Sequence, residues 1–300
     1  MKAIIFGITG QDGYYLNELL LKKGVEVIGA SRSKSGYIQG NVGDFEFVDN
    51  LIRQQNPDYI FHLAADSTTS HDSLFENHQA IATGTLNILE SVKNHCNNCK
   101  VFLCGSGMQF KNTGIPIDEN TKFKASSPYA IARIQSIYAG RYYREKFKTP
   151  VYIGYFFNHD SELRTERHIN KKITTAVNRI KNGSNEKLEL GNVDVKKEFN
   201  FAGDMVEATW LLVNQNNIFE AVIGSGKAYS IKDFVEYCFS KIGKDYKDYL
   251  IIKEGFIPDY DILVSNPALI QSIGYQPKTD FYQLADIMLN ECKDKNCICN

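Results

Sequence analysis

The chain has 300 residues, 43% of them hydrophobic, and a net charge of −1 from 34 Lys+Arg against 35 Asp+Glu. That length suits one large domain or two lobes sharing a core, and the balanced charge gives no reason to expect nucleic acid or an anionic membrane as partner. No apolar run approaches the ~18 residues of a membrane span, and the chain enters Ile4-Ile5-Phe6 without a basic leader, so the expected compartment is the cytoplasm.

Strand-like and helix-like segments alternate through the first half. A strand is expected at Lys2–Phe6, a helix over 13–23, a strand over 26–30 and a helix over 45–55. Further on come a strand over 59–63, a helix over 79–93, a strand over 101–104, a long helix over 129–146 and a strand at Val151–Phe156. Pro57 and Pro150 punctuate helix-to-strand connections. This order predicts an α/β fold: a doubly wound parallel sheet with helices on both faces. After about Asn158 the pattern loosens into short strands (Leu188–Leu190, 221–223, Leu250–Ile252) and helices over 204–214, 231–242 and Phe281–Leu289. The expected organisation is a dinucleotide-binding domain over 1–157, with a returning segment near 198–222, and a smaller mixed α/β substrate lobe over most of 158–300. No Pro-, Gly- or Ser-rich linker divides them, so a shared cleft is expected.

The first turn carries the chemistry. Gly7-Ile8-Thr9-Gly10-Gln11-Asp12-Gly13 follows an apolar strand and opens a helix. Glycines there let backbone N–H groups at a helix N-terminus approach a pyrophosphate, so Gly7, Thr9, Gly10, Gln11, Asp12 and Gly13 are candidate cofactor residues. The second strand ends without the acidic residue that binds the ribose hydroxyls of NAD; Ser31-Arg32-Ser33-Lys34 stands there. A hydroxyl and a cation suit the extra phosphate of NADP, so NADP(H) is expected through Arg32, with NAD(H) the alternative if Arg32 merely faces solvent. Asp44 is expected to contact the adenine.

Seven cysteines remain to be placed. Cys96 and Cys99 form a C-x-x-C, and Cys292, Cys297 and Cys299 crowd the end. Reduced thiols are the expectation; a zinc site is the alternative if the tail folds back onto that loop.

These landmarks, with Phe-His-Leu-Ala-Ala at 61–65, Gly84-Thr85-Leu86-Asn87, Ser127-Pro128-Tyr129-Ala130, Phe157-Asn158-His159, Leu190-Gly191-Asn192 and Asp204-Met205-Val206, resemble the extended short-chain dehydrogenase/reductases that act on nucleotide sugars. Within that family the chain is most similar to GDP-mannose 4,6-dehydratases and the related 4-keto-sugar reductases. The resemblance implies a homodimer or higher homo-oligomer and hydride transfer between a nicotinamide and a sugar carbon. It makes Tyr129 the acid/base and Ser106 the hydroxyl that orients the sugar oxygen. It implies cofactor contacts at Leu63, Ala64 and Ala65, and nucleotide-sugar contacts at Ser67, Asn158, Lys172, Asn192 and Lys197.

Two departures bear on the reaction. Arg133 stands where the family has a lysine one turn after the tyrosine, which keeps a cation there but changes its shape. Met108 stands where the dehydratases place a glutamate that removes the C5 proton, and a thioether is no base. The expected activity is therefore reduction of a GDP-linked 4-keto sugar, with 4,6-dehydration, epimerisation or a non-catalytic NADP-binding protein as alternatives. Phe256 occupies the place of a family arginine, which Arg164 and Arg167 either replace or leave as an exposed charged loop. His62 and Trp210 are expected to be packing residues, and Tyr138, Tyr142 and Tyr143 to supply an aromatic helix surface for dimerisation.

Overall fold

The computed structural model describes residues 1–33 and 36–290. The Rossmann half runs β1 (Lys2–Phe6), α1 (Gln11–Lys22), β2 (Glu26–Ser31), β3 (Ile38–Gln39), α2 (Phe45–Gln55), β4 (Tyr59–His62), α3 (Leu74–Asn77), a π-helical turn (His78–Thr83), α4 (Gly84–His95), β5 (Lys100–Ser106), α5 (Pro128–Phe147) and β6 (Val151–Phe156). Then follow β7 (His159–Asp160), α6 (Ile169–Lys181), β8 (Leu188–Leu190), β9 (Lys196–Glu198), β10 (Asn200–Phe201), α7 (Ala202–Val213), β11 (Glu220–Ile223) and β12 (Ala228–Ser230). The chain ends in α8 (Ile231–Ser240), β13 (Leu250–Ile252), β14 (Ile262–Leu263), α9 (Ala268–Ser272) and α10 (Phe281–Leu289).

Seven strands form one sheet in the order β11-β6-β5-β4-β1-β2-β3, every pair parallel. Residues alternate between its faces with the strand period of two. Ile4, Phe6, Ile60, Val101 and Leu103 meet α2, α4 and α5 through Val48, Ile88 and Ile137. Ala3, Ile5, Phe61, Phe102 and Cys104 meet α1 and α7 through Leu16, Leu20 and Met205. Both faces are covered, which is why these strands read as continuous apolar runs. The strand order reverses between β1 and β4, and ligand crevices in such sheets open at that switch point.

A third core gathers α6, α8 and α10 around Phe199, Phe234 and Phe281. The fully buried Glu198 joins this lobe to the sheet. Its carboxylate accepts from the Ser225 N–H (2.7 Å) and hydroxyl (3.3 Å), the Ser265 N–H (2.6 Å) and Asn200 Nδ2 (2.9 Å). Trp210 is half-buried at the edge of the second core, 5.1 Å from the Tyr59 ring. The helix expected over 79–93 is interrupted: a π turn precedes α4, a five-residue hydrogen-bond spacing that apolar periodicity does not announce. Among the described residues no helix is long and apolar enough to cross a membrane.

Candidate active site

The glycine turn is built by steric exclusion. Gly7 has φ +90°, and a Cβ on it would stand 2.7 Å from the Ala64 nitrogen; one on Gly13 would stand 2.4 Å from the Gly7 carbonyl oxygen. Glycine at both positions lets β1, α1 and the end of β4 close on one another. Gly10 caps α1 with no side chain to satisfy its N–H groups, which leaves them for an anion. A groove of about 610 Å³ opens over this turn, and Gly7, Thr9, Gly10, Gln11, Asp12, Gly13, Arg32, Leu63, Ala64, Ala65 and Ser67 all line it. Arg32 is exposed, beside the buried Ser31 hydroxyl that contacts Thr9 Oγ1 at 3.4 Å. Lys34 lies outside the described residues.

Asp44 lies beside the groove: its carboxylate caps α2, accepting from the N–H groups of Glu46 (3.0 Å) and Phe47 (3.4 Å), while Asn41 and Val42 line the groove itself. The side chains of Gln11 and Asp12 are also engaged elsewhere. Gln11 accepts from Ser161 Oγ (2.9 Å) and donates to the His159 carbonyl (3.3 Å), while Asp12 meets His159 Nε2 at 3.0 Å. Their backbone N–H groups lie at the N-terminus of α1, which no side chain caps.

A second cavity of about 360 Å³ joins the groove through Asp12, Leu63, Ser67 and Arg164. Ser106, Met108, Tyr129 and Arg133 line it. β5 ends at Ser106, whose Oγ accepts from the Met108 N–H at 3.2 Å, so the hydroxyl hydrogen is left to donate outward. Ser127 caps α5 by accepting from the Ala130 N–H (3.1 Å), and Pro128 opens the helix, which fixes Tyr129 in its first turn. One turn later Arg133 is 3% exposed and donates Nη1 to the Cys104 carbonyl. Its guanidinium carbon lies 5.1 Å from the Tyr129 ring centroid, so the cation stacks on the phenol. Arg133 Nε is buried with no hydrogen-bond partner among the described residues. An orphaned donor in the wall of this cavity, together with the glycine cradle, fits a dinucleotide carrying its ribose there.

Burial and the charge of Arg133 push the His62 imidazole down to about 4, so it sits neutral and packed, with Nε2 3.4 Å from the Ile81 carbonyl. Burial likewise raises the Cys104 thiol to about 11, which makes it inert.

Of the nucleotide-sugar candidates, Ser67 and Asn158 line the central cavity, and Lys197 lies between it and a flanking cavity of about 440 Å³ that Lys172 and Asn192 share. Lys197 is buried and its ammonium is pushed down from the usual lysine range by desolvation, Asp160 opposing. Lys172 donates to the Glu189 carbonyl (2.7 Å), and Asn192 Oδ1 accepts from the Asp194 N–H (2.8 Å). The Phe256 ring packs against Gly191, where a Cβ would stand 2.5 Å from it. Arg164 pairs with Asp160 (3.2 Å) and Arg167 with Asp66 (3.2 Å). Sequence reasoning missed His159, Thr69, Asp259 and Tyr260 as cavity residues, and in particular the Thr69–Asp259 hydrogen bond of 3.2 Å across it. Residues 190 positions apart leave no spacing signal.

Cys99 is buried and Cys96 half-buried. Among the described residues no group of three or more His, Cys, Asp or Glu could hold a metal, and Cys292, Cys297 and Cys299 lie outside them. Tyr143 is corrected: it is buried and donates to Glu90 (2.6 Å), leaving Tyr138 and Tyr142 as the exposed aromatics of α5.

A doubly wound sheet with the glycine turn at its switch point, and a Ser–Tyr–cation set on β5 and α5 beside it, define an extended short-chain dehydrogenase/reductase. The chain belongs to the GDP-mannose 4,6 dehydratase family, whose model matches residues 4–288. It is 33% identical over 320 residues to GDP-mannose 4,6 dehydratase 1 of Arabidopsis thaliana, covering 96% of this chain and 89% of that one. Among solved structures, RMD from Pseudomonas aeruginosa complexed with NADPH superposes with TM-score 0.86 at 17% identity, over 97% of this chain and 98% of that one. dTDP-glucose 4,6-dehydratase from Bacillus anthracis in complex with NAD gives 0.84 at 16%, over 97% and 96%.

Proposed function

We propose that this chain transfers hydride between a nicotinamide cofactor and C4 of a GDP-linked sugar, acting as a 4-keto-sugar reductase. NADP(H) is the proposed cofactor, supported by Arg32 and the Ser31 hydroxyl on the groove wall, with NAD(H) the alternative. The cofactor, when bound, supplies the hydride. The residues of the chain do the rest. The free hydroxyl hydrogen of Ser106 holds the sugar oxygen, Tyr129 gives or takes its proton, and Arg133 faces the phenol with charge while keeping Nε for a ribose hydroxyl.

Met108 is the observation that carries reduction over elimination. Loss of water needs a base at C5, and the side chain in the wall beside Ser106 is a thioether. The other reading, 4,6-dehydration, is favoured by the names of the relatives, which support it better than they support a reductase. That reading would need its carboxylate from elsewhere in the cavity. Asp12 is held by His159, and Asp160 by Arg164 and Asn170, which leaves Asp259 among the described lining residues. Exposed Tyr138 and Tyr142 on α5, with Leu86 on α4, support a homodimer.

The test is incubation with NADPH and a panel of 4-keto and unmodified GDP-sugars, following absorbance at the reduced-cofactor band and product mass. Net NADPH consumption is expected. Loss of water without net cofactor change would replace the reductase with a lyase.

A further inference from the structure

Asp12 stands in the wrong place for an unaccompanied carboxylate. It lies in the first turn of α1 and lines the groove that the glycine cradle prepares for a pyrophosphate, so an ionised side chain there repels the ligand its own helix end attracts. His159 answers that charge from the start of β7, in the lining of the adjoining central cavity. Its Nε2 lies 3.0 and 3.1 Å from the two carboxylate oxygens of Asp12, and its Nδ1 lies 2.8 Å from the Phe157 carbonyl oxygen. Both ring nitrogens therefore face acceptors, and only the doubly protonated ring can donate to both. Burial opposes the charged ring, but Asp12 outweighs it and leaves the imidazole above its usual value. Burial likewise pushes the Asp12 carboxyl up, and His159 brings it below the usual value.

The same contact spans two parts of the molecule. His159 begins β7, which pairs with β10 away from the main sheet, and its carbonyl accepts from Gln11 Nε2 and from Arg164 Nη2 (3.1 Å). The Ser161 hydroxyl donates to Gln11 Oε1. The Gln11-Asp12 pair of the glycine turn is thus stitched side chain by side chain to residues 159–161, and Arg164 lines both the groove and the central cavity.

We propose that His159 is a positioning residue that works as a fixed cation: it cancels the charge of Asp12 at the phosphate site and latches the cofactor turn to the strand beside the sugar cavity. The proposal rests on the nicotinamide-cofactor reading above. Its test measures dissociation constants for NADPH and NADH by fluorescence titration, with no turnover required, for wild type, His159→Gln, Asp12→Asn and the double variant. His159→Gln bares Asp12 and is expected to weaken cofactor binding at least about tenfold, whereas Asp12→Asn/His159→Gln returns to within about threefold of wild type. Unchanged binding in His159→Gln overturns the proposal, as does a double variant no tighter than His159→Gln, which would make the residue merely structural. If His159→Gln does not fold, Asp12→Asn decides: binding as tight as wild type or tighter supports the proposal, and weaker binding overturns it. A wild-type protein that binds neither nucleotide would instead sink the cofactor reading.

Discussion

Glu220 fastens the helix that carries Tyr129 and Arg133 to the sheet, and replacing it with glutamine tests how firmly. It opens β11, and its carboxylate accepts from Arg141 Nε (3.0 Å) and Nη2 (2.6 Å), Arg144 Nη2 (2.5 Å) and the Tyr155 hydroxyl (2.7 Å). Burial pushes the carboxyl up, but the two arginines and the tyrosine hold it at about 2, against an ordinary 4.5. A group lowered in the folded state stabilises above its unfolded value and loses that contribution as pH falls toward the folded one. The displacement of the carboxyl converts to about 3 kcal/mol at pH 7, falling to about 1.4 kcal/mol at pH 3. Glutamine keeps some neutral hydrogen bonds, so Glu220→Gln is expected to cost about 2–3 kcal/mol at pH 7 and roughly 1 kcal/mol at pH 3. Urea unfolding of both proteins across that range is the assay. A difference under about 0.5 kcal/mol at neutral pH, or one that does not shrink with acid, would refute the ion-pair reasoning.

Three further outcomes concern the site. Met108→Glu puts a carboxylate beside Ser106 and is expected to raise loss of water from GDP-mannose at least about 100-fold, read by product mass; a wild type that already dehydrates as fast removes Met108 from the argument. Arg133→Lys keeps the cation and should hold kcat within about tenfold, while Arg133→Met should lower it at least about 100-fold in steady-state assays. Equal turnover in both variants would mean that the charge is idle. Arg32→Glu is expected to raise KM for NADPH about tenfold while changing that for NADH less than about twofold; parallel changes would count against Arg32 as the phosphate contact.

The sheet was legible because its strands are buried on both faces and bounded by turn residues, and the glycine turn because close backbone approach leaves no other residue type. The long helix over 129–146 was legible to within a residue, since Ser127-Pro128 marks its start in the sequence itself. What stayed hidden were contacts closed by topology. Asp12 and His159 are 147 residues apart and read as a motif member on each side, with nothing to pair them. Asp44 shows a local ambiguity: an aspartate two residues beyond a groove-lining valine also serves as a helix cap, and its carboxylate accepts from the first N–H groups of α2. For Arg164 and Arg167, which the sequence left open between phosphate contacts and an exposed loop, the structure adds ion pairs with Asp160 and Asp66, carboxylates from two different segments, while Arg167 stays exposed.

The seam at Glu198 has a kinetic consequence. A carboxylate sunk among four donors from three segments cannot be pulled from them without leaving a bare anion in a dry core, so the smaller lobe has no inexpensive way to hinge away from the sheet. Any motion that admits a ligand is then expected in the exposed chain over 253–257 and in the Thr69–Asp259 contact across the central cavity. On that reading, loosening the Thr69–Asp259 bond would speed ligand exchange while leaving the buried seam at Glu198 untouched.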